Sequence, residues 1–568
     1  MKIILTHFFN LSPKLSLLTV LLFGFGVMSA QDIEQIAKQK PFEIHGAVAA
    51  SVGYYTSRGF NNTRKPYTYS IMAAPTISIY GVQIPFNFTF VEGSNSIKNP
   101  FAQFGVNPTW KWIKVYGGWT NMSWSPTTLN GKTFLGIGVE LNPSLFRFGA
   151  MYGRFNPAIR ENFLGPSPQQ PQFKRRGFAF KIGVGNESNF FDFIFLKAKD
   201  VAGSIPTISD SLNQLDYNAS ENAVFGIMSS QAMFKKKLVW QLDASVSGYT
   251  RNTASELLDI GTGLGTKALK VILPSRLSTG YAWTAHTNLT YKADNFSLGF
   301  DYNRIQPEFQ SMGIDYIVND QQRFALNQSF SLKKGKVALA FSQLYQHDNL
   351  NNRKAAKTNR AGLTASVSLN PSQKFGIAFA YNNFLVFQQK GLKEINDSTK
   401  LLMLQQTLTV SPRYTIINTK FVHNIFSAIT FSRLDDMNKV TSRFTQNNTL
   451  NTSVGYAMSH MASNFSFAPS MNILYTKTPL FELLNVGPTV SISKTWWEGK
   501  INTSLATTYT ASRQNKIWNS QTINGTIGLG YRINSHHDLR LNNTLMYTVF
   551  TQSISNEFRG DLTYTYTF

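Results

Sequence analysis

The chain has no cysteine, which excludes structural disulfides, thiolate metal sites and a lipid anchor on an N-terminal cysteine. Charge is sparse and one-sided. Charged residues make up only 15% of the chain, with 54 Lys and Arg against 30 Asp and Glu, a formal charge of +24. The cations scatter among turns and loops instead of clustering on one domain, so nucleic acid is not the expected partner. Beyond the first thirty positions no apolar run approaches the roughly 18 residues of a membrane helix. The eight histidines form no HExxH or other ligand spacing, and there is no GxSxG elbow. Enzymatic, metal-dependent and cofactor-dependent chemistry therefore find no support. No linker or break in composition divides the chain.

What is present is alternation. Counting back from the end, Phe568, Tyr566, Tyr564 and Leu562 fall on one face, with Phe558 beyond them, while Thr567, Thr565, Thr563, Asp561 and Arg559 fall on the other. This is the period of a half-buried strand. An exposed aromatic edge would be an aggregation hazard in a soluble protein, whereas lipid-facing rings and lumen-facing polar groups are normal in a transmembrane barrel. The pattern recurs along the chain. In Gln83 to Phe90, Ile84, Phe86, Phe88 and Phe90 alternate with polar residues, and the same dyad rhythm runs through Asn295–Tyr302 and Phe375–Tyr381. The aromatic ending resembles the last strand of bacterial outer-membrane barrels, which the barrel-assembly machinery reads. The resemblance implies that Leu562, Tyr564, Tyr566 and Phe568 form that assembly signal.

The N-terminus agrees. Lys2 and Lys14 precede the apolar run Leu15–Val27, and Ala30 offers a small residue at a cleavage point. Residues 1–30 are expected to be a secretory signal peptide, since about 13 apolar residues fall short of the ~20 that span a bilayer. Residues 31–41 then form a short periplasmic segment, with room for a brief helix over Asp32–Lys38. The barrel runs from 42 to 568. The expected location is the outer membrane, as an integral protein.

Short turns are expected at Tyr80-Gly81, Asn107-Pro108, Asn142-Pro143-Ser144, Lys235-Lys236-Lys237, Lys334-Gly335-Lys336 and similar points. They alternate with long polar segments at Asn156–Arg176, Val201–Glu221, Arg251–Ser278, Gln306–Val318 and Asn349–Arg360. Short periplasmic turns and long surface loops are the barrel arrangement. The fold class is all-β: a single transmembrane antiparallel β-barrel of about 26 strands, with 24 as the alternative. Such a ring without a plug domain would leak, because 22-stranded transporters already carry one. Either long loops fold inward or another chain fills the lumen.

Asn107–Phe155 is the densest segment. Trp110, Trp112, Trp119 and Trp124 are expected to form an interfacial aromatic girdle. Alternation places Glu140 and Arg147 toward the lumen, and pairing Leu141 with Phe146 would set them opposite one another as an ion pair that fixes register or lines the pore. The glycines of Asp259–Gly265 lack the buried strand a nucleotide site needs, so this longest loop is expected to cover or enter the pore.

The Asn-, Lys- and aromatic-rich texture and the stretch Ser125–Arg154 resemble large outer-membrane β-barrels of the Bacteroidota. That resemblance specifies class and location but supplies no active site. Two functions remain open: a pore or transport channel with a basic, anion-preferring lumen, and a barrel scaffold or translocation partner plugged by another protein. Expected partners are outer-membrane lipid and lipopolysaccharide, the barrel-assembly machinery and, in the second reading, a plug protein.

Overall fold

The computed structural model describes residues 41–59, 64–79, 82–91, 103–160, 171–205, 217–259, 261, 263, 272–396 and 398–568. The proposed signal peptide, Asp32–Lys38 and the Tyr80-Gly81 turn lie outside these residues. One 29-stranded sheet accounts for nearly all the regular structure. Three of its boundaries are breaks within a single path: Gly46, between Phe42–His45 and Ala47–Arg58; Ala74-Pro75, between Tyr67–Ala73 and Thr76–Ile79; and Asn107-Pro108, between Gln103–Val106 and Thr109–Trp110. Asn107-Pro108 is thus not the turn its composition suggests. Proline lacks the N–H a ladder needs, but the Pro108 carbonyl still accepts from the Val115 N–H at 2.9 Å and the strand continues. With each broken path counted once, the described residues form 26 antiparallel strands.

Phe568 closes the ring. The last strand, Ile554–Thr567, pairs with Ala47–Arg58 from Ala47↔Thr567 to Arg58↔Asn556. The Gly46 N–H then donates to the Phe568 carbonyl, and the Phe568 N–H to the Gly46 carbonyl, both at 3.0 Å. Gly46 has φ +153°, and an added Cβ would lie 2.6 Å from the Ala74 carbonyl oxygen, so no other residue fits this corner without displacement. Along Ala47–Arg58 closure pairs both edges, the condition for a sheet in lipid, while Phe42–His45 runs on past Phe568 and pairs with Thr76–Ile79.

The two ends of the barrel differ. At one end the turns are short, and several are built from left-handed residues: Phe234, Lys235 and Lys236, or Lys333, Lys334 and Gly335. At the other end lie the longer connections in the first half of the chain. They shrink toward the C-terminus to the two-residue turn Asn515-Lys516 (φ 47° and 69°), the twist that matches a hairpin. Outward positions carry exposed apolar side chains such as Ile137, Tyr152, Val184, Val246, Ile527, Leu562, Tyr564 and Tyr566. This is the apolar belt of a transmembrane barrel.

Deleting Phe568 removes both main-chain bonds to Gly46 and should lower the yield of closed barrel several-fold. Heat-modifiable migration in cold detergent gels measures this, and unchanged migration would show that closure does not depend on the terminal residue.

Candidate functional site

A ring of 26 strands at ~4.8 Å spacing and ~40° tilt has a diameter of about 50 Å. Part of that space is filled by the chain itself. Ser123–Gly131, which joins the strands Ile113–Met122 and Lys132–Leu141, folds into the barrel. So does 306–320, which joins Phe296–Ile305 to Gln321–Leu332. The two loops meet in a short parallel pairing, Gly313↔Leu129 and Ile314↔Asn130. They form an internal plug against the wall between residues 113 and 305.

Small and hydroxylated residues suit this segment to the role. The Ser125 hydroxyl accepts from the Thr127 and Thr128 N–H groups at 3.1 and 3.2 Å, tightening the turn. Thr127 binds Asp243 and, at 2.7 Å, Ser245 on the wall. Thr128 sits over Gly226, where any Cβ would collide with its hydroxyl. The second loop is pinned by Asn222, which is fully buried. Its amide donates to the Gln310 carbonyl at 3.3 Å and its oxygen accepts from the Met312 N–H at 2.9 Å. Ser311 donates to the Thr128 carbonyl at 2.6 Å and ties the loops together. Leu129, Phe134, Ile194, Leu196, Val224 and Met312 supply a dry core between plug and wall.

Glu140 and Arg147 both point inward, but not at each other. The observed register is Leu141↔Phe148, two residues from the expected Leu141↔Phe146, so Glu140 stands opposite Gly149. Across Gly149 lies Lys181, and its ammonium is 3.8 Å from Glu140. Arg147 likewise stands opposite Gly183 and reaches over it to Asp192 with bonds of 2.7 and 2.9 Å. Both ion pairs therefore span an intervening strand through the gap left by a glycine. Glu140 also accepts from the Tyr116 hydroxyl and the Trp124 indole, each at 2.7 Å.

Trp124 is accordingly not a girdle residue. It is buried in the plug, with its ring over Gly149. Of the other expected girdle residues, Trp110 shares the outward face of Ile113, and Trp112 lies in the adjoining turn. Trp119 shares the outward face of Val115 and stacks with Arg154, 5.7 Å from the guanidinium to the ring centre. The expected loop over the pore is also corrected, as far as it is described. Ile272 and Leu273 of Arg251–Ser278 pack on Phe195, Ala223 and Phe225, and Leu273 lies over Gly248. Phe195, Ala223, Phe225 and Gly248 have outward parity, so this part of the loop lies against the outside wall. Most of Asp259–Gly265 is outside the described residues.

The wall beyond the plug has a different character. The last inward charge cluster beside the plug is Asp301, held by His286 at 2.7 Å and Arg323 at 2.9 Å. From Val337–Asp348 to Ile517–Arg532, ten consecutive strands present mainly serine, threonine, asparagine, alanine and glycine inward, with Leu344, Phe384, Val386, Met403 and Phe426 among them. Hydroxyls pair across strands, as in Thr409–Thr430 (3.0 Å), Thr489–Thr508 (3.0 Å) and Thr522–Thr548 (3.1 Å). Inward charges on these strands are Asp348, Arg360, Lys390, Arg413, Asp436 and Arg532, each within five residues of a strand end. The excess lysines cluster in short-end turns such as Lys235–Lys237 and Lys333–Lys336. The expected basic lumen is therefore not seen along this wall.

The chain matches no protein-family model and no curated protein sequence. Among solved structures, it is similar to the FrpB iron transporter from Neisseria meningitidis, at 9% identity over 95% of this chain and 83% of that one, TM-score 0.40. It is also similar to OccAB4 of Acinetobacter baumannii, at 11% identity over 62% of this chain and 92% of that one, TM-score 0.29. A third likeness is to OpdK of Pseudomonas aeruginosa, solved with vanillate, at 9% identity over 62% and 93%, TM-score 0.31. These likenesses are too slight to bear on function.

The pairings can be separated by double-mutant cycles in denaturant unfolding. Glu140→Gln with Lys181→Met should show a coupling of at least about 0.5 kcal/mol, whereas Glu140→Gln with Arg147→Met should be additive within ~0.5 kcal/mol. Asn222→Ala, which strands the Met312 N–H and removes a donor to Gln310, should cost about 1–3 kcal/mol.

Proposed function

We propose that this protein is an integral outer-membrane channel in which solutes pass between the fixed plug and the hydroxyl-lined wall. One observation carries the reading. Among the described residues the plug is anchored to one sector of the ring, and the inward side chains of the far wall, Asp436 apart, remain half-buried or exposed. The two described inward loops do not fill a lumen about 50 Å across, and the uncovered wall is mainly polar, interrupted by inward Leu344, Phe384, Val386, Met403 and Phe426.

The apolar belt and the terminal aromatic face support an outer-membrane location. We assign Leu562, Tyr564, Tyr566 and Phe568 the role of the barrel-assembly signal. Outward Arg–Trp pairs, Arg154–Trp119, Arg304–Trp283 and Arg513–Trp518, all lie toward the end opposite the lysine turns. There they suit contact with phosphorylated lipid such as lipopolysaccharide. The scaffold reading rested on a wide barrel with nothing inside it. A filler supplied by the chain itself weakens that reading.

Planar-bilayer recording of the purified protein tests the proposal. Stepwise conductance is expected, and replacing Gln310–Ile314 with a short glycine linker should raise the unit conductance without changing heat-modifiable folding. Silence of both forms, together with a co-purifying second chain, would favour the translocation partner instead.

A further inference from the structure

We propose that the open path selects uncharged, hydroxyl-rich solutes of the carbohydrate class over ions of similar size, with inward asparagines as its contact points. The proposal rests on the channel reading above. Its basis is the ten-strand wall between Val337 and Arg532. Asn382, Asn451, Asn472, Asn502 and Asn524 face the lumen there and are exposed, and Asn542 on the next strand joins them.

Chemistry divides these asparagines from their neighbours. The threonines largely satisfy one another across strands, as in Thr407–Ser432 at 3.2 Å and Thr449–Thr476 at 3.2 Å. An asparagine amide offers two donors and two acceptor lone pairs, so a single wall contact leaves most of its capacity open. Asn472, for example, donates to Thr489 at 3.4 Å, and Asn502 accepts from Thr495 at 2.8 Å. A surface that both donates and accepts suits a ring of hydroxyls, which does the same, and removes little of its hydration energy at any one point.

The same wall gives ions nothing to prefer. Its charges stand at the strand ends. The charges beside the plug are mutually paired: Glu140 with Lys181, Arg147 with Asp192, Lys132 with Asp315. At the long-loop rim, Lys354 bridges Asp320 and Asp348. Burial works against its charge, but the bond to Asp320 and the two carboxylates hold the ammonium above the ordinary lysine range. A field from the rims decays within about 10 Å at 0.1 M salt, and the inward charges of the last two strands are paired with one another, Arg540 with Asp538 and, in mid-strand, Arg559 with Asp561, each at 2.7 Å. The formal +24 of the chain therefore does not translate into anion selectivity.

The test uses the full-length protein in planar bilayers and in liposomes. Under a tenfold potassium chloride gradient, potassium and chloride permeabilities should agree within about twofold. Liposome swelling in the neutral trisaccharide raffinose should exceed that in potassium gluconate. The triple variant Asn451→Asp, Asn472→Asp, Asn524→Asp should turn the channel cation-selective, and the corresponding valine triple should slow raffinose entry more than it lowers salt conductance. Strong chloride selectivity of the unaltered protein, or raffinose entry unaffected by the valine triple, would overturn the proposal while leaving a channel. Silence toward salt and sugar alike would overturn the channel reading and the proposal with it. Heat-modifiable migration of each variant separates a selectivity change from a failure to fold.

Discussion

Pairing of every backbone group across a closed sheet is the constraint from which the rest of this structure follows. In lipid an unpaired N–H or carbonyl has no water to bind, so the sheet must meet itself. It does so where Ala47–Arg58 takes up Ile554–Thr567 and where Gly46 exchanges two bonds with Phe568. The interruptions at Ala74-Pro75 and Asn107-Pro108 are tolerated for the same reason. The Pro75 carbonyl accepts from Phe86 at 2.7 Å, and the Pro108 carbonyl from Val115 at 2.9 Å.

Closure at 26 strands sets a lumen wider than side chains alone can fill, and the chain meets that requirement unevenly. Between residues 113 and 305 the inner wall is rich in carboxylates, cations and buried apolar groups because two loops dock there. Elsewhere the inner wall is mainly small and polar, interrupted by Phe384 and Phe426 and by the Arg559–Asp561 pair. The glycines illustrate how one residue type serves this division. Gly149 admits the Trp124 ring and lets Glu140 reach toward Lys181, Gly183 lets Arg147 reach Asp192, and Gly226 leaves space for Thr128. A side chain at any of these positions would push the plug or its ion pairs from the wall.

Alternation made the strands legible, because each outward ring and inward hydroxyl reports its own face. It also made the inward direction of Glu140 and Arg147 legible. Their partners were not, since parity is unchanged by a two-residue shift in register and a side chain can pass over a glycine to the second strand away. Trp124 carried no signal at all that separated it from Trp119. One continues a strand pattern and the other begins a loop, and only the folding of that loop puts it inside. The segment 251–278 shows the converse. Length and position suggested a cover for the pore, but Leu273 finds its apolar partners on the outer wall.

The sequence by itself determined what a local period can encode: strand content, the face of each residue, the number of strands to within one hairpin, and the aromatic seam at Phe568. These follow from the fixed two-residue repeat of a strand and need no knowledge of what lies across the ring. The tertiary structure alone decided which loops enter, which charges meet, and where the net charge stands relative to the lumen. Those properties depend on contacts that strand period does not encode, from Arg147 with Asp192 two strands away to Thr127 with Ser245 and Ser311 with Thr128, more than a hundred positions apart. No local pattern records such a contact, because its energy exists only once closure has brought the two walls around the same space.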